Sequence, residues 1–190
     1  VMSFQKEYFN KDYNIDKYEE NSNQIDLVGF GLNKIRTYSS DDLRCLSSTI
    51  IKNIKDENIH PNDATILCSQ TRTLREVDYI FRNEFNEETL TTFASKEIKE
   101  ELDRNKLHET LTIKHLNTIK KFAFNLNSGV LKLSTIHSFK GFESPNVFLI
   151  VDERDQDEMV YTAITRAKFN IMIFLPPKSK YKEFFTTALE

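Results

Sequence analysis

The sequence predicts an α/β protein of three layers, in which helices cover both faces of a mostly parallel β-sheet. Two observations lead to this fold class. Short apolar segments alternate along the chain with longer segments whose apolar residues recur at helical spacing, and this alternation is typical of βαβ units. In addition, the segment 147–151 is hydrophobic throughout, as is expected of a strand buried on both faces.

The first half of the chain supplies strands and helices in alternation. Residues 1–24 show no clean periodicity and are predicted to be an N-terminal arm or the end of an upstream element, which leaves 25–190 as the domain. Extended segments are predicted at 25–32, 34–38, 64–68 and 89–93. Helices are predicted where apolar residues recur every three or four positions, at 43–54, 74–85 and 95–102. The run Ser39-Ser40-Asp41-Asp42 supplies a cap for the first of these helices.

The second half leaves one region open between two structures. Residues 108–121 favour a helix, whereas 121–125 and 130–135 are compatible with a hairpin around Asn127-Ser128-Gly129. Phe122 and Phe124 would alternate along the first strand of that hairpin, where packing in a sheet explains them better than base stacking. Further on, the predicted order is strand, helix, strand and helix, at 147–151, 155–168, 170–175 and 179–189.

Composition limits the class of protein. A length of 190 residues, with 39% hydrophobic and 29% charged residues, is typical of one soluble globular domain. No apolar segment is long enough to span a bilayer. Cys45 and Cys68 provide neither a disulfide framework nor a zinc spacing, so a reducing, cytoplasmic compartment is predicted. The net charge of −3 argues against an avid, free-standing nucleic-acid binder, because such domains gain affinity from a basic surplus.

The segment 132–143 (KLSTIHSFKGFE) carries much of the expected chemistry. It is predicted to be a buried strand followed by a polar turn, with all of its polar side chains at the carboxyl edge of the sheet, where open α/β sheets bind ligands. Thr135, His137 and Ser138 can donate hydrogen bonds to phosphate oxygens. Gly141 permits close approach of the backbone.

A carboxylate and a guanidinium complete the set of candidate groups. Glu143, at the end of the first segment, can accept paired hydrogen bonds from sugar hydroxyls. The second segment, 161–168 (YTAITRAK), is predicted to lie on an amphipathic helix of which Arg166 is the one arginine. The planar fork of an arginine is suited to a phosphate.

Both segments resemble motifs of a known family. Thr135-x-His137-x-x-Lys140-Gly141-x-Glu143 is similar to motif V of UvrD/Rep/PcrA-type superfamily-one helicases, and Tyr161-x-Ala163-x-Thr165-Arg166-Ala167 is similar to motif VI. The motifs occur in the family's order and lie in the last third of the chain. The resemblance implies that the chain is the second RecA-like motor domain of such a helicase, and that the three-layer fold is RecA-like.

The resemblance also implies roles for the candidate residues. Gly141 and Glu143 would lie at the ATP, with Glu143 holding the ribose. Arg166 would act as an arginine finger on the γ-phosphate, a role that typically contributes roughly 10³–10⁵-fold in rate. Thr135 and His137, together with the neighbouring Ser138, would contact the backbone of a single strand of nucleic acid. The implied partners are single-stranded or partly duplex DNA and an upstream first RecA-like domain of the same polypeptide, with no membrane.

The loop after the predicted strand 64–68 departs from the family pattern. The family places further strand-contacting residues here, usually Arg and Asn, whereas this chain has Ser69 and Thr71. Both are kept as candidate nucleic-acid contacts, although the substitution puts DNA contact there in doubt. Arg72 or Arg75 can compensate, or can simply be charges at the start of a helix.

The sequence has no GxxxxGK[ST] phosphate loop, and its four glycines cannot build one. ATP and Mg²⁺ are therefore expected to require the missing first domain, and neither is expected to bind to this chain alone. The run 147–153 ends in Asp152-Glu153 and looks like a Walker B strand, but a plain core strand followed by a solvated acidic turn explains it better.

Two functions remain open at this point. The first is a motor half-domain that contributes an arginine finger, a ribose contact and part of a single-strand site. The second is a non-catalytic nucleic-acid-binding or scaffolding module that retains helicase architecture, which the acidic charge and the altered loop favour slightly. Each candidate side chain also has a structural explanation: Arg166 as a helix-surface charge, Glu143 as a surface acid, and His137 as a residue bonded to its own backbone.

Overall fold

The structure is a computed structural model that describes residues 2–9, 34–38, 42–104 and 109–189. Within these ranges one sheet contains six strands: β1 (Lys34–Thr37), β2 (Ala64–Cys68), β3 (Thr89–Thr91), β4 (Leu131–Thr135), β5 (Ser144–Ile150) and β6 (Ala167–Leu175). Their order is β1-β6-β5-β2-β4-β3, and each neighbouring pair is parallel. The predicted α/β fold class is confirmed, and the described sheet is parallel throughout.

Helices cover both faces of this sheet. They are α1 (Met2–Phe9), α2 (Leu43–Asp56), α3 (Thr71–Glu84), α4 (Lys96–Arg104), α5 (Glu109–Ala123), α6 (Asp157–Ile164) and α7 (Lys182–Leu189), with a 3₁₀ turn at Pro61–Asp63. Successive residues of β2 show how the layers form, since Ile66 packs with α2 and α3 while Leu67 packs on the opposite face with α6. None of the described helices combines the length and the apolarity needed to cross a membrane.

The start of α2 follows the predicted capping chemistry. The Asp42 side chain accepts a hydrogen bond from the backbone N–H of Cys45 at 2.9 Å, which satisfies a donor that the first turn of a helix leaves unpaired. The preceding cap residues 39–41, the predicted strand 25–32 and most of the predicted arm lie outside the described residues.

The predicted hairpin around 127–129 is wrong. Lys121 is in the last turn of α5, and β4 pairs in parallel with β2 on one side and β3 on the other. Both edges of β4 are therefore occupied, and no place remains beside it for an antiparallel partner. Phe124 follows the helix and is buried, whereas Phe122 is on the outer face of the helix with 87% of its surface exposed.

The predicted helix 155–168 is too long at its carboxyl end. α6 ends at Ile164, and β6 begins at Ala167, which pairs with Ser144 of β5. Apolar spacing had placed Ala167 on the helix, but strand pairing determines its conformation instead. Arg166 therefore lies in the turn between α6 and β6 and not on the helix.

The amino-terminal helix α1 is part of the core. Phe4 is fully buried and packs against aromatic residues of α1, α6 and α7. Its ring neighbours are Tyr8, Phe9, Tyr161, Tyr181, Phe184 and Phe185, with centroid separations of 4.5–6.5 Å. This cluster fixes α6 against the sheet, and α6 leads directly to Arg166.

The substitution Phe4→Ala is expected to lower the free energy of unfolding by about 3–5 kcal/mol, because it leaves a cavity inside the aromatic cluster. Urea denaturation followed by circular dichroism measures the change. Phe169→Ala is the matched control, since Phe169 is 66% exposed, and its effect should stay within about 0.5 kcal/mol. Equal effects of the two substitutions would contradict the assignment of α1 to the core.

Candidate functional site

The loop 136–143 joins opposite edges of the sheet. It leaves the carboxyl end of β4 and enters the amino end of β5, and it crosses β2, which lies between these strands. Ile136 and Phe139 are fully buried on the face covered by α6. At about 3.3 Å per residue, the five residues of β2 separate the two edges by roughly 15 Å. The expectation that all polar groups of this segment share the carboxyl edge is therefore wrong, because Glu143 lies at the amino edge.

A hydroxyl-bonded turn begins the loop at the carboxyl edge. Thr135 Oγ1 donates to Ser138 Oγ at 2.8 Å and accepts from the Ser138 backbone N–H at 3.1 Å. The backbone N–H of Ile136 donates to the carbonyl of Cys68 at 3.1 Å, which extends the pairing of β4 with β2. His137 is exposed. Thr135, His137 and Ser138 thus lie together as predicted, and His137 is the one with a side chain open to solvent.

The segment after β2 lies at the same edge. The hydroxyl of Ser69 is buried beside the Asp155 carboxylate, and Thr71 is the first residue of α3 and is partly buried. Arg72 is exposed. Arg75 instead donates from Nε to the carbonyl of Ala94 at 2.9 Å, so it braces the chain after β3. Of the two arginines proposed to compensate for Ser69 and Thr71, Arg72 is the accessible one.

The acidic turn after β5 is organised by its own backbone. The N–H of Asp152 donates to Asp155 Oδ2 at 2.9 Å, and the N–H of Arg154 donates to Asp152 Oδ1 at 3.0 Å. Burial raises the pKa of the Asp155 carboxyl above its usual value.

Among the described residues, no group of three or more His, Cys, Asp or Glu side chains is placed to hold a metal ion.

An open groove of about 430 Å³ runs along the carboxyl ends of β1, β6, β5 and β2. Its lining combines the two arginines Arg72 and Arg154 with the two acids Asp152 and Glu153. The remaining lining residues are Tyr38, Gln70, Thr73, Pro176 and Pro177. Because the charges balance, this part of the edge does not form a basic track.

Arg166 is held at the opposite, amino edge. Its guanidinium donates from Nε to the Thr162 carbonyl at 3.1 Å, from Nη1 to the Phe142 carbonyl at 3.2 Å, and from Nη2 to Thr165 Oγ1 at 3.0 Å. The Thr162 carbonyl lies in the last turn of α6, where a cation is stabilised by the helix dipole. The side chain thus ties the end of α6 to the end of the loop 136–143.

Glu143 lies at the same edge as Arg166. The N–H of Ser144, the next residue, donates to the Arg166 carbonyl at 2.9 Å. The Glu143 carboxylate is 54% exposed, and its Oε2 is 3.7 Å from Nζ of Lys168. An exposed pair at this distance is weak, so the carboxylate remains accessible to a ligand. The carboxylate and the guanidinium that the sequence singled out therefore belong to chain segments that meet at the same edge of the sheet.

Two further features position this end of the loop. Gly141 has a φ of +95°, which a side chain would strain, although a Cβ there would meet no atom within 4 Å. The aromatic rings of Phe124, Phe139 and Phe142 contact one another with centroid separations of 5.6–6.1 Å.

Sequence reasoning missed Phe139 and Phe142 because they occupy variable positions of the motif pattern. Their regular spacing in an otherwise polar loop was the available signal.

Part of the chain matches a known protein family. Residues 131–173 match the family model described as "UvrD-like helicase C-terminal domain". The matched range begins with β4 and extends into β6, so it includes the loop 136–143 and Arg166. The match covers 43 of the 190 residues. No curated protein matches the chain.

The chain has the predicted α/β fold, with a parallel sheet between two helical layers. Among solved structures, the chain is similar to one described as "Mss116p DEAD-box helicase domain 2 bound to an RNA duplex", at 14% identity and a TM-score of 0.44. The similarity covers 83% of this chain and 57% of that chain, so the present chain spans little more than half of that protein's length.

The raised pKa of Asp155 predicts a pH-dependent stability. The folded state disfavours the charged carboxylate, so the resulting penalty is full at pH values above the folded pKa and disappears as the pH falls below the unfolded pKa. Asp155→Asn should therefore raise the urea midpoint at pH 7 and lose this advantage under acidic conditions.

Glu153→Gln is the matched control, since Glu153 is an exposed neighbour in the same turn. A urea midpoint for Asp155→Asn at pH 7 below that of the unsubstituted chain would contradict the burial argument.

Proposed function

We propose that this chain is the second motor domain of an ATP-dependent, UvrD-like DNA helicase. The observation that carries the proposal is the loop 136–143, which has Thr135 and His137 at one edge of the sheet and Glu143 beside Arg166 at the other. One short segment thus connects a candidate strand-contacting site with a candidate nucleotide site.

At the amino edge, the proposed ligand is ATP bound between this domain and a first RecA-like domain. The exposed Glu143 carboxylate accepts hydrogen bonds from the ribose hydroxyls. Arg166 exchanges its neutral acceptors, the carbonyls of Thr162 and Phe142, for oxygens of the γ-phosphate. Hydrogen bonds between ionised partners are roughly twice as strong as neutral ones, so a phosphate can compete for the guanidinium. Charge that develops on the γ-phosphate during hydrolysis is then stabilised by the arginine fork.

The partner domain has to supply the rest of the catalytic centre. The chain has no phosphate loop, and the described residues contain no cluster suited to Mg²⁺. In the proposal, the first domain cradles the phosphates and holds Mg²⁺, while this chain adds Glu143 and Arg166. The chain alone should therefore show negligible ATP hydrolysis.

At the carboxyl edge, the proposed ligand is a single strand of DNA. The imidazole of His137 and the hydroxyls of Thr135 and Ser138 are suited to phosphate oxygens, which fix the position of a strand without reading its bases. Thr71 and Arg72 lie at the neighbouring end of β2 and extend this edge. Because the net charge is −3, binding by the isolated chain should be weak and sensitive to salt.

A non-catalytic scaffold with the same fold is the second candidate function. One observation favours it: the guanidinium of Arg166 already has three hydrogen-bond partners within the domain, as a purely structural arginine would. The two candidates differ in whether ATP turnover by the full-length protein depends on Arg166.

Arg166→Ala in the full-length protein should lower kcat for ATP hydrolysis by about 10³–10⁵-fold, because transition-state charge on the γ-phosphate loses its stabilising fork. A phosphate-release assay at saturating single-stranded DNA measures this. Arg104→Ala is the matched control, since Arg104 also donates from Nε to a carbonyl four residues earlier in its helix. Near-normal turnover by Arg166→Ala would refute the proposed role of Arg166, whereas absence of turnover in the unsubstituted full-length protein would favour the scaffold.

His137→Ala should weaken the binding of a fluorescent single-stranded oligonucleotide several-fold and leave the urea midpoint unchanged, because this side chain is exposed. Fluorescence anisotropy at low salt measures the affinity. Lys52→Ala, an exposed substitution on α2 at the other face of the sheet, serves as the control. Equal affinities of the His137 and Lys52 variants would argue against a strand contact at this edge.

A further inference from the structure

The outer face of α5 presents apolar side chains to solvent. Phe122 is 87% exposed and Ile119 is 62% exposed. The opposite face holds the helix to the sheet, since Asn117 Oδ1 accepts from the backbone N–H of Ala94 at 2.7 Å and Lys120 Nζ donates to Thr91 Oγ1 at 3.2 Å. At 100° per residue, Phe122 lies about 140° around the helix from Asn117 and about 160° from Lys120. Phe122 therefore contributes little to packing within the described part of the chain.

After its first residue, Glu109, the same helix belongs to a segment without acidic residues. Residues 110–142 contain no Asp or Glu, although the chain as a whole has 29 of them and a net charge of −3. The basic residues of this segment are Lys114, Lys120, Lys121, Lys132 and Lys140, with His115 and His137. Lys114, Lys121 and Lys140 are exposed, and within the described part of the chain Lys114 and Lys121 have no ion-pair partner. This is a local basic surface in an acidic protein.

This surface adjoins the loop 136–143. Phe124, just after α5, contacts the rings of Phe139 and Phe142 in that loop at 6.1 and 5.8 Å. The exposed Lys140 and His137 belong to the same loop. The carboxyl end of α5 therefore packs against the middle of this loop, between His137 at one edge of the sheet and Glu143 at the other.

The chemistry of the face favours a nucleic acid over a protein. A helix that docks into a protein groove needs apolar anchors at i, i+3, i+4 and i+7, whereas among the described side chains of α5 the exposed large apolar ones are Ile119 and Phe122, beside polar residues such as Thr118. An accessible aromatic ring flanked by lysines is instead the arrangement on which unpaired bases stack while phosphates meet the cations.

We propose that the outer face of α5, formed by Lys114, Thr118, Lys121 and Phe122, is a further contact surface for single-stranded nucleic acid. One base stacks on the ring of Phe122. Lys114 and Lys121, about 10 Å apart along the helix and both on the amino-terminal side of Phe122, neutralise neighbouring phosphates. This inference rests on the proposed nucleic-acid role of the domain, but not on the proposed ATP site.

The test measures equilibrium binding of two fluorescent 20-nucleotide strands to the 190-residue chain, oligo(dT) and a strand whose central nucleotides are abasic. Phe122→Ala should weaken oligo(dT) binding by about tenfold, the loss expected for one stacked base. It should leave binding of the abasic strand unchanged. Phe122→Tyr should restore affinity for oligo(dT), and the control Phe169→Ala, another exposed phenylalanine, should have no effect.

Replacing Lys114 and Lys121 with Gln should reduce the slope of log affinity against log salt by about 0.7 per lysine.

Three results would overturn the inference: unchanged oligo(dT) affinity in Phe122→Ala, an equal loss for both strands, or no binding of either strand by the unsubstituted chain. If His137→Ala weakens binding and Phe122→Ala does not, the contact surface on α5 fails while the proposed function stands. If the unsubstituted chain binds neither strand, the nucleic-acid part of the proposed function fails as well.

Discussion

The arrangement of the candidate site depends on the burial of Phe139 midway along the loop 136–143. This ring is fully buried and packs against Phe124 and Phe142, so the loop is held against the face of the sheet along its path over β2. A crossover connection between two parallel strands usually needs about a dozen residues or more, often with a helix. Here a few buried apolar side chains hold a short polar segment across the sheet, and its two ends therefore have fixed positions at opposite edges.

In the proposed motor domain, this constraint would couple the two ligand sites. Buried aromatic packing resists deformation, so the two ends of the loop would have to move together with the rings that hold it. Arg166 adds a second link, since its guanidinium joins the end of α6 to the Phe142 carbonyl. If a phosphate binds the Arg166 guanidinium, the Phe142 carbonyl loses its hydrogen bond, and the loop loses one of its contacts with the end of α6. Arg166 would then both bind the phosphate and control how firmly the loop is held.

Much of the fold was readable from the sequence, because helical and strand periodicities differ and the strongest segments are long. β2 was predicted at its observed boundaries, and α2 and α3 nearly so. The predictions failed where pairing between strands overrides local sequence preference. Ala167 has helical spacing but pairs in β6. The segment before β4 contains turn residues typical of a hairpin, but both edges of β4 are already paired with other strands. The sequence predicted that Glu143 and Arg166 lie at the same edge of the sheet. It did not predict that Thr135 lies at the opposite edge, because motif spacing does not reveal the direction in which a loop crosses a sheet.

The central claim is that Glu143 and Arg166 bind one nucleotide, which is shared with a partner domain. A structure of the full-length protein with a non-hydrolysable ATP analogue tests it most directly. The account predicts that the Arg166 guanidinium leaves the Phe142 carbonyl and lies within hydrogen-bonding distance of γ-phosphate oxygens, while the Glu143 carboxylate meets the ribose hydroxyls. A bound nucleotide with Arg166 still held by Thr162 and Phe142, and Glu143 still in solvent, would contradict it.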